Sequence, residues 1–292
     1  MDKYRDATSN GRPSLDADAW AKSIRKYSIT MPSDLAKPNI VFILAESTFD
    51  PNVAFRLTRP VTSPLLDTQA DGRHGTVHVT AVGGGTHVTE FETITGVDMR
   101  LLGLRGYPHN VIASYMKRSI AQYLNERGYT TRAFYPLHGS AFGAYSGYRQ
   151  YGFQSFTESL ANWGGSDERI AEVIVGDPAN VGGAPFFWYV VLIEIHSPHA
   201  CRNFAEEEQL ATAFRREKDF GVNCSLNEYI RRLRSTEMAY EKLVQRMREI
   251  ESQSGRPYIV ILFGDHQPAD FLSRAYNEYG TAAPPTLTVL KM

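Results

Sequence analysis

Acidic and imidazole side chains follow three short apolar segments of the sequence. Glu46 comes after NIVFIL, His196 after FFWYVVLI, and Asp265 and His266 after YIVILF. Because parallel strands form ligand sites outside their carboxyl ends, three such strands would deliver these side chains to one edge of a sheet. Two carboxylates with an imidazole suit a divalent metal ion, since oxygen ligands favour Mg or Mn and imidazole also admits Zn. The alternative is that Asp265 caps a helix and His266 lies on the surface.

A second chemical feature is the glycine run 83–85, which Thr86 follows directly. Glycines before a helix let the backbone approach an anion, and the first N–H groups of the helix can hold it. Thr86 would then present its hydroxyl at the anion site, where a metal ion or a base makes such a group a nucleophile. The alternative is that Thr86 is a plain N-cap, with Glu90 in the first turn.

Several common catalytic signatures are absent from the sequence. No GK[ST] follows the glycines, as a Walker loop requires, and Val88 stands where a dinucleotide-binding fingerprint needs its third glycine. No G-x-S-x-G elbow occurs, which disfavours the serine mechanism of the α/β-hydrolases.

Strands and helices alternate along the chain. Continuous apolar runs are typical of strands buried on both faces, and alternating β-branched segments are typical of half-buried strands. The strands predicted in this way are 39–44, a segment from His74, 130–135, 186–193, 258–263 and 286–290. This order predicts an α/β fold with a mostly parallel central sheet flanked by helices. It also predicts a single domain over 38–292, after an irregular or helical lead-in at 1–37.

Apolar periodicity predicts the helices between these strands. The predicted helices cover 87–94, 109–127, 167–175 and a long segment after the capping-box pattern of Ser225 and Glu228. One broad face of the long helix carries Leu226, Ile230, Leu233, Leu243, Met247 and Ile250. The tyrosine-rich stretch 138–152 is predicted to be a loop, and 200–224 a polar insertion.

Composition narrows the class of protein. The chain has 31 basic and 32 acidic residues, a balance that argues against a nucleic-acid partner. The longest apolar stretch, 186–193, is far shorter than the ~20 residues that cross a bilayer, and the polar N-terminus is not a signal peptide. The protein is therefore expected to be cytosolic, or a soluble domain cut from a longer chain. Cys201 and Cys224 either bridge the polar insertion or remain unpaired thiols.

Four segments together resemble a known family. KPNIVFILAES, GGGTHVTEFETITG, IHSPH and FGDHQP, in this order, are similar to the sulfatase-like domain of lipoteichoic acid synthases. The wider set comprises the phosphoglycerol and phosphoethanolamine transferases of the alkaline-phosphatase superfamily. The resemblance covers residues 37–270 and implies an alkaline-phosphatase/sulfatase-like fold.

The resemblance implies roles for particular residues. Glu46, Asp265 and His266, together with Thr86, match the metal ligands of the family, which here imply one divalent ion. Thr86 also matches the catalytic threonine, and His196 the histidine that contacts the transferred phosphoryl group.

Two further positions bear on the substrate. His138 resembles a headgroup-binding histidine of the lipoteichoic acid synthases. Those enzymes have a Trp and an Arg shortly after it, whereas this chain reads Phe142-Gly143-Ala144-Tyr145. Thr86 is followed by His-Val-Thr, so the C/S-x-P-x-R motif of true sulfatases is absent and sulfate-ester hydrolysis is disfavoured.

The resemblance implies a metal-dependent phosphoryl-group transferase. Its donor would be a phospholipid headgroup, its acceptor a cell-envelope glycan or polymer, and its intermediate a phospho-threonine at Thr86. It would work at the extracytoplasmic face of the membrane, attached through segments absent from this chain, or in the cytoplasm if the chain is complete. The alternatives are a soluble phosphodiesterase or phosphatase using the same residues, and a non-catalytic binding protein on this fold.

Four residues near the expected site have two interpretations each. His87 and His199 lie close in sequence to Thr86 and His196. Asp50 and Glu90 follow shortly after Glu46 and Thr86. Each of the four either contacts and positions a residue of the site, or has an ordinary packing, surface or capping role.

Overall fold

A computed structural model describes residues 37–54, 57, 59–66, 74–81, 83–102, 107–161, 165–178, 182–200, 220–268 and 287–291. These residues belong to one compact unit that begins at Lys37. The lead-in predicted at 1–37 lies outside the described residues except for Lys37.

The described part of the chain contains a seven-stranded sheet. Its strands are β1 (Asn39–Ala45), β2 (His74–His78), β3 (Thr130–Phe134), β4 (Ser155–Thr157), β5 (Phe186–Leu192), β6 (Tyr258–Gly264) and β7 (Leu287–Lys291). The spatial order is β2-β7-β6-β1-β5-β3-β4. The five strands from β6 to β4 are parallel, while β7 and β2 are added antiparallel at one edge. The predicted α/β fold with a mostly parallel sheet is confirmed.

The register of the three central strands sets the position of their carboxyl ends. Ala45 at the end of β1 pairs with Leu192 of β5 on one side and with Gly264 of β6 on the other. The three strands therefore end level with one another. Since β1 lies between β5 and β6, the residues that follow all three strands emerge side by side.

Burial explains why the central strands lack polar alternation. Every residue of β5 is buried, and Phe186 stacks on Trp188 within it. A strand covered on both faces has no solvent side, so a continuous apolar run is the favourable sequence.

Seven α-helices lie between the described strands. They are α1 (Pro51–Ala54), α2 (Thr86–Thr95), α3 (Pro108–Val111), α4 (Ile120–Asn125), α5 (Ala144–Gln150), α6 (Asp167–Gly176) and α7 (Phe220–Ser254). Helix α2 is tied to the sheet by the hydroxyl pair Thr93–Tyr189, 2.8 Å apart. Helix α7 packs against α6, β1 and β6. None of the described helices combines the length and the hydropathy needed to cross a bilayer.

The single helix predicted over 109–127 is wrong. The structure has α3, a 3-10 turn at Ala113–Tyr115, an extended link and then α4. The break is made by Ser119, whose hydroxyl accepts a hydrogen bond from the backbone N–H of Gln122 and donates one to the carbonyl of Tyr151. Ser119 therefore begins a new helix, and its tertiary partner outweighs the apolar period that spans the break.

The loop predicted over 138–152 is also wrong in part. A 3-10 turn at Ala141–Gly143 leads into α5, in which Tyr148 is fully buried. The ring of Tyr148 packs against Tyr135, Phe153 and Tyr189. The tyrosines of this stretch thus anchor a helix to the core.

The long helix starts earlier than its capping-box pattern predicted. Helix α7 begins at Phe220, so Ser225 lies inside it. The carboxylate of Glu228 binds the guanidinium groups of Arg231 and Arg232 one turn later. The predicted apolar face of the helix is buried, as expected. Cys224 is buried and disulfide-bonded, while Cys201 and most of the predicted insertion lie outside the described residues.

Candidate active site

The level ends of β1 and β6 bring Glu46, Asp265 and His266 together. All three side chains are buried, and one possible ligand atom from each lies within 4.8 Å of the others. This grouping follows from the strand register, because Glu46 and Asp265 each come directly after one of two paired strands. The donor chemistry of the three side chains decides whether a metal ion fits.

The two carboxylate oxygens of Asp265 differ in their hydrogen bonding. Its Oδ1 accepts the backbone N–H of Ser47 at 2.6 Å and that of His266 at 2.7 Å. Ser47 has φ 51°, a left-handed conformation that is uncommon outside glycine and concentrates at functional sites. Asp265 Oδ2 is buried and has no hydrogen-bond partner.

His266 presents a nitrogen lone pair to the same point. Its Nδ1 donates to the carbonyl of Gln267 at 3.1 Å, and its Nε2 accepts the backbone N–H of Gly84 at 3.2 Å. This bonding selects the tautomer with an unprotonated Nε2, the form in which histidine binds metals. Nε2 lies 3.2 Å from Asp265 Oδ2.

Glu46 is the centre of the cluster. Its Oε1 lies 3.4 Å from Thr86 Oγ1, 3.6 Å from His266 Nε2 and 3.7 Å from His196 Nε2. Burial, followed by the neighbouring Asp265 carboxylate, raises the pKa of Glu46 well above its ordinary value. Its Oε2 is buried without a hydrogen-bond partner.

The donor set fits a divalent cation. Two buried carboxylates this close repel each other, and each keeps an unpartnered oxygen whose desolvation costs free energy. A cation bound to Glu46 Oε2 and Asp265 Oδ2 would satisfy both oxygens, and the lone pair of His266 Nε2 would complete the donor set in place of its hydrogen bond from the Gly84 N–H. Two oxygens and one imidazole nitrogen are compatible with Mn, Mg or Zn.

Thr86 is placed by glycines with positive φ. Gly83, Gly84 and Gly85 have φ values of 53°, 87° and 144°. Gly85 is the N-cap of α2, so the alternative in which Thr86 is the N-cap is wrong, and Thr86 is the first helical residue. Helix α2 is joined to the loop that carries Asp265 and His266, because Thr89 Oγ1 donates to the carbonyl of Asp265 at 2.8 Å.

His196 lies on a loop that α7 holds in place. The guanidinium of Arg232 donates to the carbonyls of Glu194 and His196, at 3.2 and 2.7 Å, and to the carbonyl of Pro198 at 3.2 Å. Burial lowers the pKa of His196. Its Nδ1 bonds the Ser197 carbonyl, so Nε2 is the proton-accepting nitrogen that faces Glu46.

Replacing Arg232 by lysine is expected to lower kcat by about tenfold to a hundredfold with little change in metal affinity. A single ammonium cannot reach all three carbonyls, and a small displacement of a side chain that acts on substrate lowers the rate of a reaction. Steady-state kinetics and metal titration measure both effects. Arg231→Lys is the matched control, because Arg231 also binds Glu228 but is more exposed. Equal losses in the two variants would contradict a positioning role.

Asp167 supports the same loop from α6. Its Oδ1 accepts the backbone N–H groups of Ile193 and Glu194 at 2.7 and 2.9 Å, and its Oδ2 accepts the hydroxyl of Thr236 at 2.6 Å. Despite these bonds, burial raises the pKa of Asp167 from 3.8 to about 6.

The raised pKa of Asp167 predicts how stability depends on pH. Because the folded state favours the protonated carboxyl, this contribution to stability is fully present below pH 3.8 and is lost as pH rises through about 6. Asp167→Asn should remove this dependence, so the variant gains about 2 kcal/mol relative to wild type between pH 4 and pH 8. Urea unfolding across this range measures the difference. Parallel stability curves for the two proteins would refute the assignment.

His138 lies apart from the carboxylate cluster. Its imidazole is exposed and contacts Ser140 at 2.8 Å and Glu158 at 3.9 Å. The same loop nevertheless reaches the neighbourhood of Thr86, because the ring of Phe142 stacks on that of His87 with centroids 5.6 Å apart. Burial lowers the pKa of His87 to about 4.

A buried hydrogen-bond network connects α2 to two neighbouring helices, and the sequence did not predict it. Glu90 Oε2 accepts hydrogen bonds from Tyr148 at 2.8 Å and from His109 Nε2 at 3.0 Å. The other nitrogen of His109 bonds the hydroxyl of Tyr151 at 3.0 Å. Glu90 thus joins α2 to α3 and α5, and only the turn spacing of Glu90 from Thr86 hinted at this role.

Asp50 and His199 have structural partners. Asp50 accepts the backbone N–H of Asn52 at 2.8 Å in α1. His199 Nε2 bonds the carbonyl of Ile195 at 2.9 Å, and its ring packs against Tyr229. His199 thereby helps to shape the loop that carries His196.

The parallel sheet thus carries a buried carboxylate–imidazole cluster and a helix-borne threonine at one edge. A family model described as Sulfatase matches residues 38–280, and the chain belongs to this family. The resemblance seen in the sequence is confirmed.

Similarity to a curated protein extends over most of the chain. A putative cyclic beta-1,2-glucan modification protein of Rhizobium meliloti (strain 1021) is 25% identical over 252 residues. The alignment covers 84% of this chain but 37% of that protein, so the chain spans little more than a third of the curated relative's length.

Two solved structures share the fold. The lipoteichoic acid synthase LtaP from Listeria monocytogenes aligns with a TM-score of 0.67 at 15% identity, covering 94% of this chain and 70% of that one. The Streptococcus pyogenes phosphoglycerol transferase GacH, in complex with sn-glycerol-1-phosphate, gives 0.66 at 20% identity, covering 94% and 72%. Because both sequence identities are low, the similarity to these two structures shows the shared fold alone.

Proposed function

We propose that this protein is a metal-dependent transferase that moves a phospholipid headgroup, phosphoglycerol or phosphoethanolamine, to a cell-envelope acceptor. The observation that carries the proposal is the convergence on Glu46 Oε1 of the Thr86 hydroxyl, His266 and His196. Beside it lie the two unpartnered oxygens of Glu46 and Asp265. The similarity to GacH and LtaP supports the donor class, and the Rhizobium relative supports a glycan acceptor.

The metal site consists of Glu46, Asp265, His266 and the Thr86 hydroxyl. A divalent ion there, Mn or Mg with Zn as the further candidate, supplies Lewis acidity that favours the Thr86 alkoxide and offsets phosphoryl charge.

Two substitutions at phosphorus complete the reaction. Thr86 Oγ1 attacks the headgroup phosphodiester, the bond from phosphorus to the diacylglycerol oxygen breaks, and the headgroup phosphate remains on Thr86. The proton of Thr86 passes to Glu46 Oε1, the carboxylate oxygen that faces the Thr86 hydroxyl at 3.4 Å, and a proton returns to the diacylglycerol oxygen. An acceptor hydroxyl then attacks the same phosphorus, Thr86 Oγ1 departs, and the proton lost by the acceptor is restored to Thr86.

Two histidines complete the binding of substrate. His196 Nε2 contacts the transferred phosphoryl group and takes the proton of the acceptor hydroxyl, since it is the proton-accepting nitrogen. His138, exposed on its loop, binds the headgroup. The disulfide at Cys224 supports a location on the extracytoplasmic face of the membrane, because disulfides persist in oxidising compartments.

The test is a transfer assay with defined components. The protein is incubated with Mn²⁺, vesicles of phosphatidylglycerol or phosphatidylethanolamine, and a β-1,2-linked glucan. Mass spectrometry should detect diacylglycerol and glucan carrying the headgroup phosphate. Diacylglycerol with free headgroup phosphate instead would identify a hydrolase. Absence of diacylglycerol from either lipid, with metal shown to be bound, would contradict the proposal.

A further inference from the structure

Three aromatic rings form a cluster beside the proposed nucleophile. His87 follows Thr86 directly, and its ring lies 4.8 Å from that of Tyr107 and 5.6 Å from that of Phe142. Tyr107 and Phe142 are themselves 5.1 Å apart, so each ring contacts the other two. The proposed metal ligands and the Glu90 network do not include these rings, and the mechanism above leaves them without a role.

The backbone places Phe142 in this cluster at a conformational cost. Phe142 has φ 54°, a left-handed conformation unfavourable for a bulky side chain, and Gly143 follows with φ 75°. A Cβ on Gly143 would lie 1.7 Å from Oδ1 of Asn110, so the turn is closely packed against α3. Strain of this kind persists where the surroundings enforce it, often at ligand-binding positions.

The cluster is accessible and adjoins polar groups. Tyr107 is 45% exposed, and His87 and Phe142 are half-buried, so part of each residue lies at the protein surface. The turn that carries Phe142 also carries His138 and Ser140, both exposed and hydrogen-bonded to each other at 2.8 Å. The loop therefore combines an aromatic surface with the hydroxyl of Ser140, which can bind a sugar hydroxyl, next to the proposed headgroup ligand His138.

We propose that His87, Tyr107 and Phe142 form the acceptor subsite and stack against a sugar ring whose hydroxyl receives the phosphoryl group; this rests on the proposed function. The face of an aromatic ring is electron-rich, and the axial C–H bonds of a pyranose carry the complementary partial charge. The donor headgroups contain no ring to stack. Contact with the residue after Thr86 would bring an acceptor hydroxyl close to the phosphorus.

Calorimetric titration with a β-1,2-linked gluco-oligosaccharide tests the subsite without turnover. Phe142→Ala should weaken binding by at least about fivefold, and Phe142→Trp should retain it. Tyr107→Ala should weaken it as well. Tyr123→Ala is the matched control, because Tyr123 is equally exposed but lies on α4 against Arg127.

A second measurement separates acceptor from donor. Diacylglycerol release from phosphatidylglycerol vesicles in a single turnover without glucan should be the same in Phe142→Ala and wild type, whereas glucan modification should fall. Unchanged oligosaccharide affinity in Phe142→Ala, or no measurable affinity in wild type, would overturn the inference. So would a selective loss of diacylglycerol release, which would assign the cluster to the donor. Failure of the proposed function would appear separately, as no lipid cleavage by wild type with oligosaccharide binding intact.

Discussion

Thr86→Ala is expected to lower turnover of the lipid donor by at least about a thousandfold. The substitution removes the only oxygen of α2 that contacts both Glu46 Oε1 and His266 Nε2 among the described residues, and a methyl group cannot serve as a covalent nucleophile. Thr86→Ser keeps a hydroxyl on the same helical residue and should retain measurable activity. Diacylglycerol release from phosphatidylglycerol or phosphatidylethanolamine vesicles measures all three proteins.

Thr95→Ala controls for a general effect on α2. Thr95 lies at the other end of the helix, where its hydroxyl bonds the carbonyl of Phe91 at 2.7 Å. This variant should keep wild-type turnover. If Thr86→Ala remained within tenfold of wild type, Thr86 would not be the nucleophile, and the group attacking phosphorus would have to be water.

The second large effect is expected from Asp265→Asn, which separates metal binding from folding. Asparagine can still accept the two backbone N–H groups at Oδ1, but it replaces the unpartnered, charged Oδ2 by an amide. Metal affinity should fall by more than about a hundredfold, and turnover should fall with it. The metal-free variant should melt at the same temperature as metal-free wild type or higher, because Glu46 loses the like charge beside it.

Thermal melts with and without Mn²⁺ show both parts of this prediction. A cation at a hundred times its Kd stabilises the folded state by about 2.7 kcal/mol, which raises the Tm of a protein of this size by about 5 °C. That rise should occur in wild type and in the control Asp50→Asn, since Asp50 directly precedes α1 and bonds Asn52. An undiminished metal-dependent rise in Asp265→Asn would exclude Asp265 as a ligand.

The sequence predicts the position of those site residues that directly follow the end of a strand. A run such as FFWYVVLI admits few alternatives to a buried strand, and parallel strands align their carboxyl ends. Placing Glu46, Asp265 and His266 at one edge needed only these two rules. The glycines before Thr86 were expected to let the backbone approach an anion, and the structure shows that all three have positive φ values, which glycine adopts easily.

The sequence does not predict structural features that depend on contacts between residues far apart in the chain. Ser119 interrupts an otherwise regular apolar period because it also bonds Tyr151. Glu228 resembles a cap, but its carboxylate binds Arg232, which in turn holds three carbonyls of a loop over thirty residues away. The residues around Ser119 or Glu228 in the sequence do not indicate which distant residue either side chain will contact.

The covalent intermediate is tested most directly by intact mass measurement. Wild type and Thr86→Ala are each mixed with Mn²⁺ and vesicles of phosphatidylglycerol or phosphatidylethanolamine, and the reaction is quenched in acid within seconds. Wild type should gain the mass of a phosphoglycerol or phosphoethanolamine group, which names the donor, and Thr86→Ala should gain none. Lipid cleavage by metal-loaded wild type without any adduct, or an equal adduct on Thr86→Ala, would contradict a phospho-threonine mechanism.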